Sequence, residues 1–267
     1  MSMNVVLVDL NSKMVDAWEG VFSSEPHVEI VRGSILVQRV DAWVSPTNAE
    51  GEMGGGVEGA IRKHLGESIQ QQVRRAIARD YGGAMPVGDA TCVATGQQKP
   101  SWLISTPTTG ATEATKATKA TKATKATKAT KATKAAKATG ATGATGATEA
   151  IRDTLNVALA CCAAFQAVTA HNAKGAGSIG SIAIPGLGAG TGMVSPEACA
   201  ELMWAAYGLF CRHYFDDFAS MREALEAEMG AFDPATSSDE AARRLREVMF
   251  ARAGVDPGGP ASKPGGP

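Results

Sequence analysis

Residues 45–61 read Ser-Pro-Thr-Asn-Ala-Glu-Gly-Glu-Met-Gly-Gly-Gly-Val-Glu-Gly-Ala-Ile, and this stretch carries the strongest structural signal in the 267-residue chain. It follows a short β-rich run at Ala42–Val44 and leads into residues with helical spacing. Three consecutive glycines, Gly54, Gly55 and Gly56, leave bare backbone N–H groups just before that helix. Because a helix N-terminus carries partial positive charge, the segment suits a bound phosphate. A flexible connection between two elements is the alternative interpretation.

A second glycine-rich stretch, Pro-Gly-Leu-Gly-Ala-Gly-Thr-Gly-Met-Val-Ser-Pro, occupies residues 185–196. This loop lies between a predicted strand and a predicted helix, and every second residue from Gly186 to Gly192 is glycine. Its main chain can therefore also wrap a diphosphate. The residues of this loop that we expect at a ligand are Gly186, Gly188, Ala189, Gly190, Thr191, Gly192 and Met193. Neither loop has the Gly-Lys-Ser/Thr of a P-loop, which disfavours hydrolysis of nucleoside triphosphates.

Strands and helices alternate on both sides of these loops. The predicted strands are Val5–Leu10, Val28–Val31, Ala42–Val44, Ala90–Ala94, Trp102–Ser105 and Ser181–Ile184. The predicted helices are Lys13–Phe22, a region from Gly56 to Arg79 broken near Gly66, Thr148–Ala170 with Thr148 as N-cap, and Pro196–Phe215. This alternation predicts an α/β domain whose sheet is covered on both faces. Ligands in such folds bind at the carboxyl ends of strands, where both glycine loops lie.

Residues 109–147 are a low-complexity insertion of Ala, Thr, Lys and Gly in a three-residue rhythm. Gly-Ala-Thr-Glu-Ala occurs at 110–114 and again at 146–150, which indicates a tandem expansion inside a loop. The eight lysines recur every three residues, whereas an α-helix has 3.6 residues per turn. In a helix the lysines would therefore spiral around the axis, and no face of the helix would be apolar. We therefore expect disorder there. A tether for an anionic partner or nucleic acid is the functional alternative.

Charge is distributed unevenly along the chain. Removing the eight lysines of the insertion leaves 18 basic against 27 acidic residues, a net charge of −9. The body is therefore acidic, and nonspecific binding of nucleic acid by the body is disfavoured. We expect nucleic acid only as a modified substrate or through the lysine-rich insertion.

The domain boundaries follow from composition. We predict one domain over residues 1–216, interrupted by the insertion, then a helical extension over 217–253 and a disordered Gly/Pro-rich tail over 254–267. The extension either caps the domain or binds a partner. The chain has no run of 18 apolar residues, and it begins directly with an apolar strand rather than a signal peptide, so we expect no membrane segment.

The cysteines indicate a reducing compartment. The five residues, Cys92, Cys161, Cys162, Cys199 and Cys211, are odd in number, and their spacing suits neither a disulfide framework nor a zinc site. Free thiols predict the cytoplasm, that of the host if the chain is viral. The histidines show no metal-ligand spacing either, so we expect neither a metal nor a cofactor.

Together, SPTNAEGEMGGGVEGAI and PGLGAGTGMVSP resemble the macrodomain family. That family pairs an Asn-bearing loop leading into Gly-Gly-Gly-Val-Asp/Glu-x-Ala-Ile with a second glycine loop after the last core strand. The resemblance covers roughly residues 4–215 apart from the insertion. It implies a three-layer α/β/α sandwich with a mixed sheet of about six strands, and ADP-ribose as the ligand.

The resemblance also implies roles for individual residues of the first loop. Asn48 holds the place of an asparagine that contacts the distal ribose, although an Asn after Pro is also a common turn residue. Glu58 holds the place of an acid that positions or activates water in hydrolytic relatives. A first-turn glutamate that stabilises the helix dipole is its structural alternative. Val57 belongs to the same binding segment, and Glu52 is a second, weaker candidate for the catalytic carboxylate.

Three positions depart from the family pattern. Ser34 and Ile35 stand where many members have Asp-Ile at the adenine, and a serine supplies no charge. Asp9 either substitutes for that carboxylate or caps its own loop. Met193 stands where relatives often have an aromatic over the distal ribose, and Ser45 replaces an earlier asparagine. These departures predict weaker binding or a somewhat different ligand.

The leading functional hypothesis is an ADP-ribosyl hydrolase that cleaves the glycosidic bond at the distal ribose of a modified macromolecule. A non-catalytic reader of ADP-ribose is the second. A different adenine-nucleotide enzyme is the third, suggested by the first strand ending in Asp9. No glycine loop follows that strand, which disfavours the third hypothesis.

Overall fold

The computed structural model describes residues 3–110, 155–175, 177–190 and 192–212, with the isolated helical positions 223, 227 and 247. Its strands are β1 (Asn4–Asp9), β2 (Val28–Arg32), β3 (Ala42–Asn48), β4 (Thr91–Ala94), β5 (Trp102–Thr109) and β6 (Ser181–Ile184). Its helices are α1 (Ser12–Phe22), α2 (Gly56–Leu65), α3 (Ser68–Tyr81), α4 (Asn156–Ala173) and α5 (Pro196–Tyr207), with a 3₁₀ turn at Ile35–Val37 and a π turn at Gly208–Arg212.

The six strands form one sheet in the order β2-β1-β6-β3-β5-β4. All neighbouring pairs are parallel except β4 with β5, which is antiparallel. The carboxyl ends of the five parallel strands therefore meet at one edge of the sheet. We call it the carboxyl edge. This confirms the predicted α/β fold with a mixed six-stranded sheet.

Apolar cores cover both faces of the sheet, which is the three-layer arrangement. One core holds buried side chains of α1, α4 and α5 against one face, including Trp18, Phe165 and Trp204. The other holds buried side chains of α2 and α3 against the opposite face, including Ile61 and Ile77. The α4 helix is apolar nearly all round because its start packs between the sheet and α5, as buried helices do.

Two strands run further than the sequence predicts. β3 continues through Ser-Pro-Thr to Asn48, and β5 continues to Thr109. Pro46 suggests a loop because proline lacks the N–H that a central strand needs. It is tolerated because β6 pairs with β3 only at Ala42 and Trp43, so the side of β3 that faces β6 is unpaired beyond that point.

The predictions of α1, α2 and α3 agree within a few residues, including the break near Gly66. The helix predicted over Pro196–Phe215 is shorter: α5 ends at Tyr207, a π turn continues to Arg212, and residues 213–215 lie outside the described residues. The described part of α4 runs from Asn156 to Ala173, and the predicted N-cap Thr148 lies outside the described residues. The insertion from residue 111 onward, the extension and the tail also lie outside them, apart from the isolated helical positions 223, 227 and 247.

The free cysteines agree with the sequence-based expectation. Cys161, Cys162 and Cys199 are buried, and Cys92 is half-buried, and all four are reduced. Burial raises the pKa of Cys92 to about 12, so its thiol is protonated at neutral pH. Among the helices that the structure describes, none is both long and apolar enough to cross a membrane.

Asp41 ties three segments together at the edge opposite the carboxyl edge. Its Oδ2 accepts hydrogen bonds from the backbone N–H of Gly180 (3.0 Å) and of Ser181 (2.9 Å). Its Oδ1 receives Lys99 Nζ at 2.9 Å. Burial by itself raises the pKa of Asp41, but the hydrogen bonds from Lys99, Ser181 and Gly180 outweigh it and hold the pKa below its usual value.

We predict that Asp41→Asn lowers the free energy of unfolding at pH 7 by about 1–2 kcal/mol, because a charged acceptor of several N–H groups is lost. A carboxylate whose folded-state pKa is lowered stabilises the fold above its unfolded pKa. That stabilisation is lost as the pH falls through the folded pKa. Denaturant unfolding at pH 7 and below about pH 4 should therefore show the difference shrinking in acid.

Asp16→Asn, at an exposed position of α1, is the matched control and should change stability little at either pH. Equal destabilisation by Asp41→Asn at both pH values would contradict the electrostatic explanation.

Candidate functional site

The two glycine loops leave neighbouring strands at the carboxyl edge. β6 ends at Ile184, level with the middle of β3, whereas β3 continues to Asn48. The chain after Ile184 therefore leaves the sheet beside the unpaired extension of β3. We call the space between the loops that follow β3 and β6 the crevice, because ligands bind between such loops in open α/β sheets.

Asn48 organises the first loop through its side-chain amide. Its Oδ1 accepts hydrogen bonds from the backbone N–H of Glu50 (3.1 Å) and of Glu52 (2.9 Å). Its Nδ2 donates to Glu52 Oε2 at 3.4 Å. The Asn48 oxygen thus accepts hydrogen bonds within the loop itself, while the amide nitrogen donates to an exposed carboxylate. Asn48 therefore stabilises the turn through Oδ1 and has a hydrogen-bond donor in Nδ2.

The three glycines form an exposed turn at the start of α2. Gly55 is the N-cap and carries no side chain that would satisfy the first N–H groups of the helix. Gly56 adopts φ +56°, a left-handed conformation that favours glycine. Cβ atoms built on Gly54 and Gly55 would meet nothing within 4 Å. The turn therefore presents backbone donors to open space, and Val57 behind it packs against the α2–α3 core.

Glu58 lies in the first turn of α2. A Cβ on Gly56 would lie 3.3 Å from Glu58 Oε2, so the carboxylate folds back over the glycine turn. Burial raises the pKa of Glu58, and a hydrogen bond with its own backbone N–H offsets that rise only in part. A carboxylate with a raised pKa in a partly exposed position is suited to accept a proton from water.

Asp9, at the end of β1, forms a hydrogen bond with the start of the second glycine loop. Asp9 Oδ2 accepts from the N–H of Gly186 at 3.2 Å, and its Oδ1 accepts from the N–H of Asn11 at 2.9 Å. A Cβ on Gly186 would lie 2.9 Å from Asp9 Oδ2 and 3.1 Å from Met14 Sδ, so this position needs glycine. Asp9 thus caps its own loop and also contacts the loop that follows β6. Its alternative role at an adenine stays a prediction.

The tip of the second loop is open. Gly188 adopts φ +73°, and a Cβ on Gly190 would meet nothing within 4 Å. Ala189 is half-buried, Gly192 is buried, and Thr191 lies outside the described residues. Gly188 and Gly190 therefore place main chain at the crevice with little side-chain bulk.

Apolar side chains rim the carboxyl edge. Met193 has φ +58°, uncommon for a residue with a side chain, and is 59% exposed. The other large hydrophobic residues exposed in the described part of the chain are Leu10 and Val37, which follow β1 and β2 at the same edge. Each of the three residues therefore leaves apolar surface exposed at the carboxyl edge. The sequence analysis missed Leu10 and Val37 because a single exposed apolar residue has no sequence signal.

The residues predicted for the adenine side lie beyond β1. Ser34 Oγ accepts from the N–H of Leu36 at 3.2 Å and caps the 3₁₀ turn, and Ile35 is buried. Ser45 is fully buried on β3, and no hydrogen-bond partner of its hydroxyl is found among the described residues. Ser34 and Ser45 therefore offer the crevice less polar surface than the loops do.

Comparison with known proteins agrees with this geometry. A family model described as Macro domain matches residues 44–203, which span both glycine loops. The chain belongs to the macro domain family. A curated macro domain-containing protein of Streptomyces griseus is 37% identical over 84 residues, 32% of this chain and 48% of that protein. One from Caldanaerobacter subterraneus is 34% identical over 77 residues, 29% of this chain and 43% of that protein.

The matches thus span about half the length of these curated macrodomain relatives. Two solved structures are also similar. The macrodomain of Mycobacterium tuberculosis DarG has 18% identity and a TM-score of 0.42, covering 66% of this chain and 87% of that one. An Oceanobacillus iheyensis macrodomain with ADP has 15% identity and a TM-score of 0.44, covering 68% and 74%.

We predict that Glu58→Gln raises the melting temperature at pH 7 by about 1–3 °C. A folded-state pKa above the unfolded value means that the protonated form is favoured in the fold. That stability is present below the unfolded pKa and is lost as the pH rises through the folded pKa. The amide introduced by Glu58→Gln stays neutral, so the variant does not lose this stability at pH 7. The difference in melting temperature between the variant and wild type should therefore vanish near pH 4, as measured by thermal unfolding.

Glu197, in the first turn of α5 and exposed, is the matched control. Glu197→Gln should lower the melting temperature slightly, because an exposed first-turn carboxylate stabilises the helix dipole. A similar fall for Glu58→Gln would mean that Glu58 is simply another helix-stabilising charge.

Proposed function

We propose that this macrodomain binds ADP-ribose along the carboxyl edge, with the diphosphate between the two glycine loops. The observation that supports this most directly is the pair of open glycine turns on the adjacent parallel strands β3 and β6. The first turn also lies at the N-terminus of α2, so the helix dipole and backbone N–H groups act on the same anion. No resident metal or cofactor enters the proposal.

In this arrangement Asn48 contacts the distal ribose. Its Nδ2 is a donor whose hydrogen bond to the exposed Glu52 is long, at 3.4 Å. A ribose hydroxyl that takes the place of Glu52 gives this donor a better partner, while Oδ1 continues to shape the loop. Leu10, Val37 and Met193 supply apolar surface for the base and sugars.

We further propose that the site hydrolyses the bond between the distal ribose and a modified macromolecule. Glu58 accepts a proton from water, and the water oxygen forms a bond to the anomeric carbon. The glycosidic bond breaks and its electron pair stays on the leaving atom of the macromolecule. That atom takes a proton from solvent, to which Glu58 returns the proton that it accepted. The position of Glu58 over the glycine turn and its raised pKa support this role.

A non-catalytic reader is the second candidate function. The observation that favours it is the hydrogen bond between the Glu58 carboxylate and its own backbone N–H, which also suits a structural first-turn residue. Reader and hydrolase share the same binding mode and differ only in turnover.

The modified macromolecule would approach from the β5 side of the crevice. Thr109 at the end of β5 is level with Asn48 in the β3–β5 register, and the eight-lysine insertion follows Thr109 in the chain. Asn156 Nδ2 donates to the carbonyl of Thr108 at 2.8 Å, so the chain also returns at this edge. Lysines tethered there would favour a polyanionic substrate such as ADP-ribosylated nucleic acid.

We predict micromolar or tighter binding of ADP-ribose, about −8 kcal/mol, in isothermal titration. Gly190→Val should weaken it at least about 100-fold, because the side chain fills the diphosphate position with a whole isopropyl group. The free protein should tolerate the change, since a Cβ there meets nothing within 4 Å and Gly190 is not left-handed. Gly20→Val, equally open but on α1, is the control.

Heat with another nucleotide but none with ADP-ribose would overturn the binding proposal. Unchanged affinity in Gly190→Val would show that the second loop does not contact the ligand.

We predict that Glu58→Gln binds ADP-ribose like wild type but releases ADP-ribose from mono-ADP-ribosylated proteins or nucleic acids about 10²–10⁴-fold more slowly. The wild-type rate should fall as the pH drops through the raised pKa of Glu58, because only the ionised carboxylate accepts a proton. Glu197→Gln serves as the carboxylate control. No release by wild type, together with intact binding, would favour the reader.

A further inference from the structure

The first loop is docked on α3 rather than free. Gly51 has φ +72°, and a Cβ there would lie 2.6 Å from Ile77 Cδ1 and 2.8 Å from Val73 Cγ1, so the backbone packs directly on the helix. Ala49 accepts a hydrogen bond from the N–H of Met85 at 2.8 Å. The part of the loop before the three glycines is therefore fixed, and the glycines themselves are exposed.

Gln70 of α3 contacts Met53, the last residue before the three glycines. Its Oε1 accepts from the backbone N–H of Met53 at 2.8 Å and from Arg62 Nη1 at 3.3 Å. Two donors on the same oxygen determine the orientation of the amide. Arg62 is itself held by Glu67, with 3.5 Å between Nε and Oε2.

These two donors stand on either side of the glycine turn. Met53 immediately precedes Gly54, and Arg62 lies in the last turn of α2, whose first residue is Gly56. One oxygen of Gln70 therefore connects the start of the turn with the helix that follows it. Glycine has the largest conformational freedom of any residue, so an unrestrained Gly-Gly-Gly segment would lose much entropy when it binds an anion.

We propose that Gln70 is a positioning residue that holds the glycine turn in its anion-binding conformation. It acts through Met53 and Arg62 and does not touch the ligand. The effect on affinity rests on the proposed function, whereas the effect on the turn itself does not. Gln70 thus preorganises donors that would otherwise have to be ordered on binding.

The test compares Gln70→Met, which keeps the length but removes the acceptor, with Gln70→Glu, which keeps an acceptor at the same place. Gln71→Met, exposed on the same helix, is the matched control. Amide hydrogen exchange is measured at Met53 and Gly54–Gly56, and ADP-ribose affinity by titration. We expect faster exchange and about five- to tenfold weaker binding for Gln70→Met, with both restored in Gln70→Glu and unchanged in Gln71→Met.

Unchanged exchange at Met53 in Gln70→Met would overturn the proposal, as would weaker binding without restoration in Gln70→Glu. If Gln70→Met does not fold, Arg62→Met removes the second donor instead, and unchanged exchange of the glycine turn in that variant overturns the proposal. A wild-type protein that does not bind ADP-ribose would contradict the proposed function alone, because the exchange measurement requires no ligand.

Discussion

The pairing of Ala42 with Ile182 and of Trp43 with Ala183 brings together parts of the chain that are about 140 residues apart. These two contacts place β3 beside β6 in the middle of a parallel sheet, where the side chains on both faces of both strands are buried. Because the strands are parallel, the loops after them leave at the same edge. Because β6 is short, the loop after it leaves the sheet beside the unpaired end of β3.

Each glycine turn is then held by a side-chain acceptor that comes from outside its own loop. Asp9 receives the N–H of Gly186, and Gln70 receives the N–H of Met53. Asn48 adds two acceptor contacts within the first loop. Backbone donors can bind an anion tightly only when they are already aligned, and glycine provides no alignment of its own. The acceptors supply it without adding bulk to the crevice.

The charges near the crevice have a consistent physical explanation. The proposed ligand is an anion, and three carboxylates, those of Asp9, Glu52 and Glu58, lie on or near the loops that would bind it. Negative charge on these side chains would repel the ligand. The charge of Asp9 is compensated by two N–H donors, and Glu52 is exposed to solvent. Burial already raises the pKa of Glu58, and an approaching diphosphate would raise it further.

The sequence by itself determined the α/β class, the order of elements, both glycine loops and their position after strands, because these depend on local periodicity and on glycine patterns. It left Asp9 and Asn48 with two roles each, and it showed nothing of Gln70, which is one of three consecutive glutamines. Only the tertiary structure decided the strand order, the extension of β3 through Pro46, and which amide of α3 meets Met53. Each of these depends on contacts between residues distant in the chain, and neither local propensity nor spacing encodes such contacts.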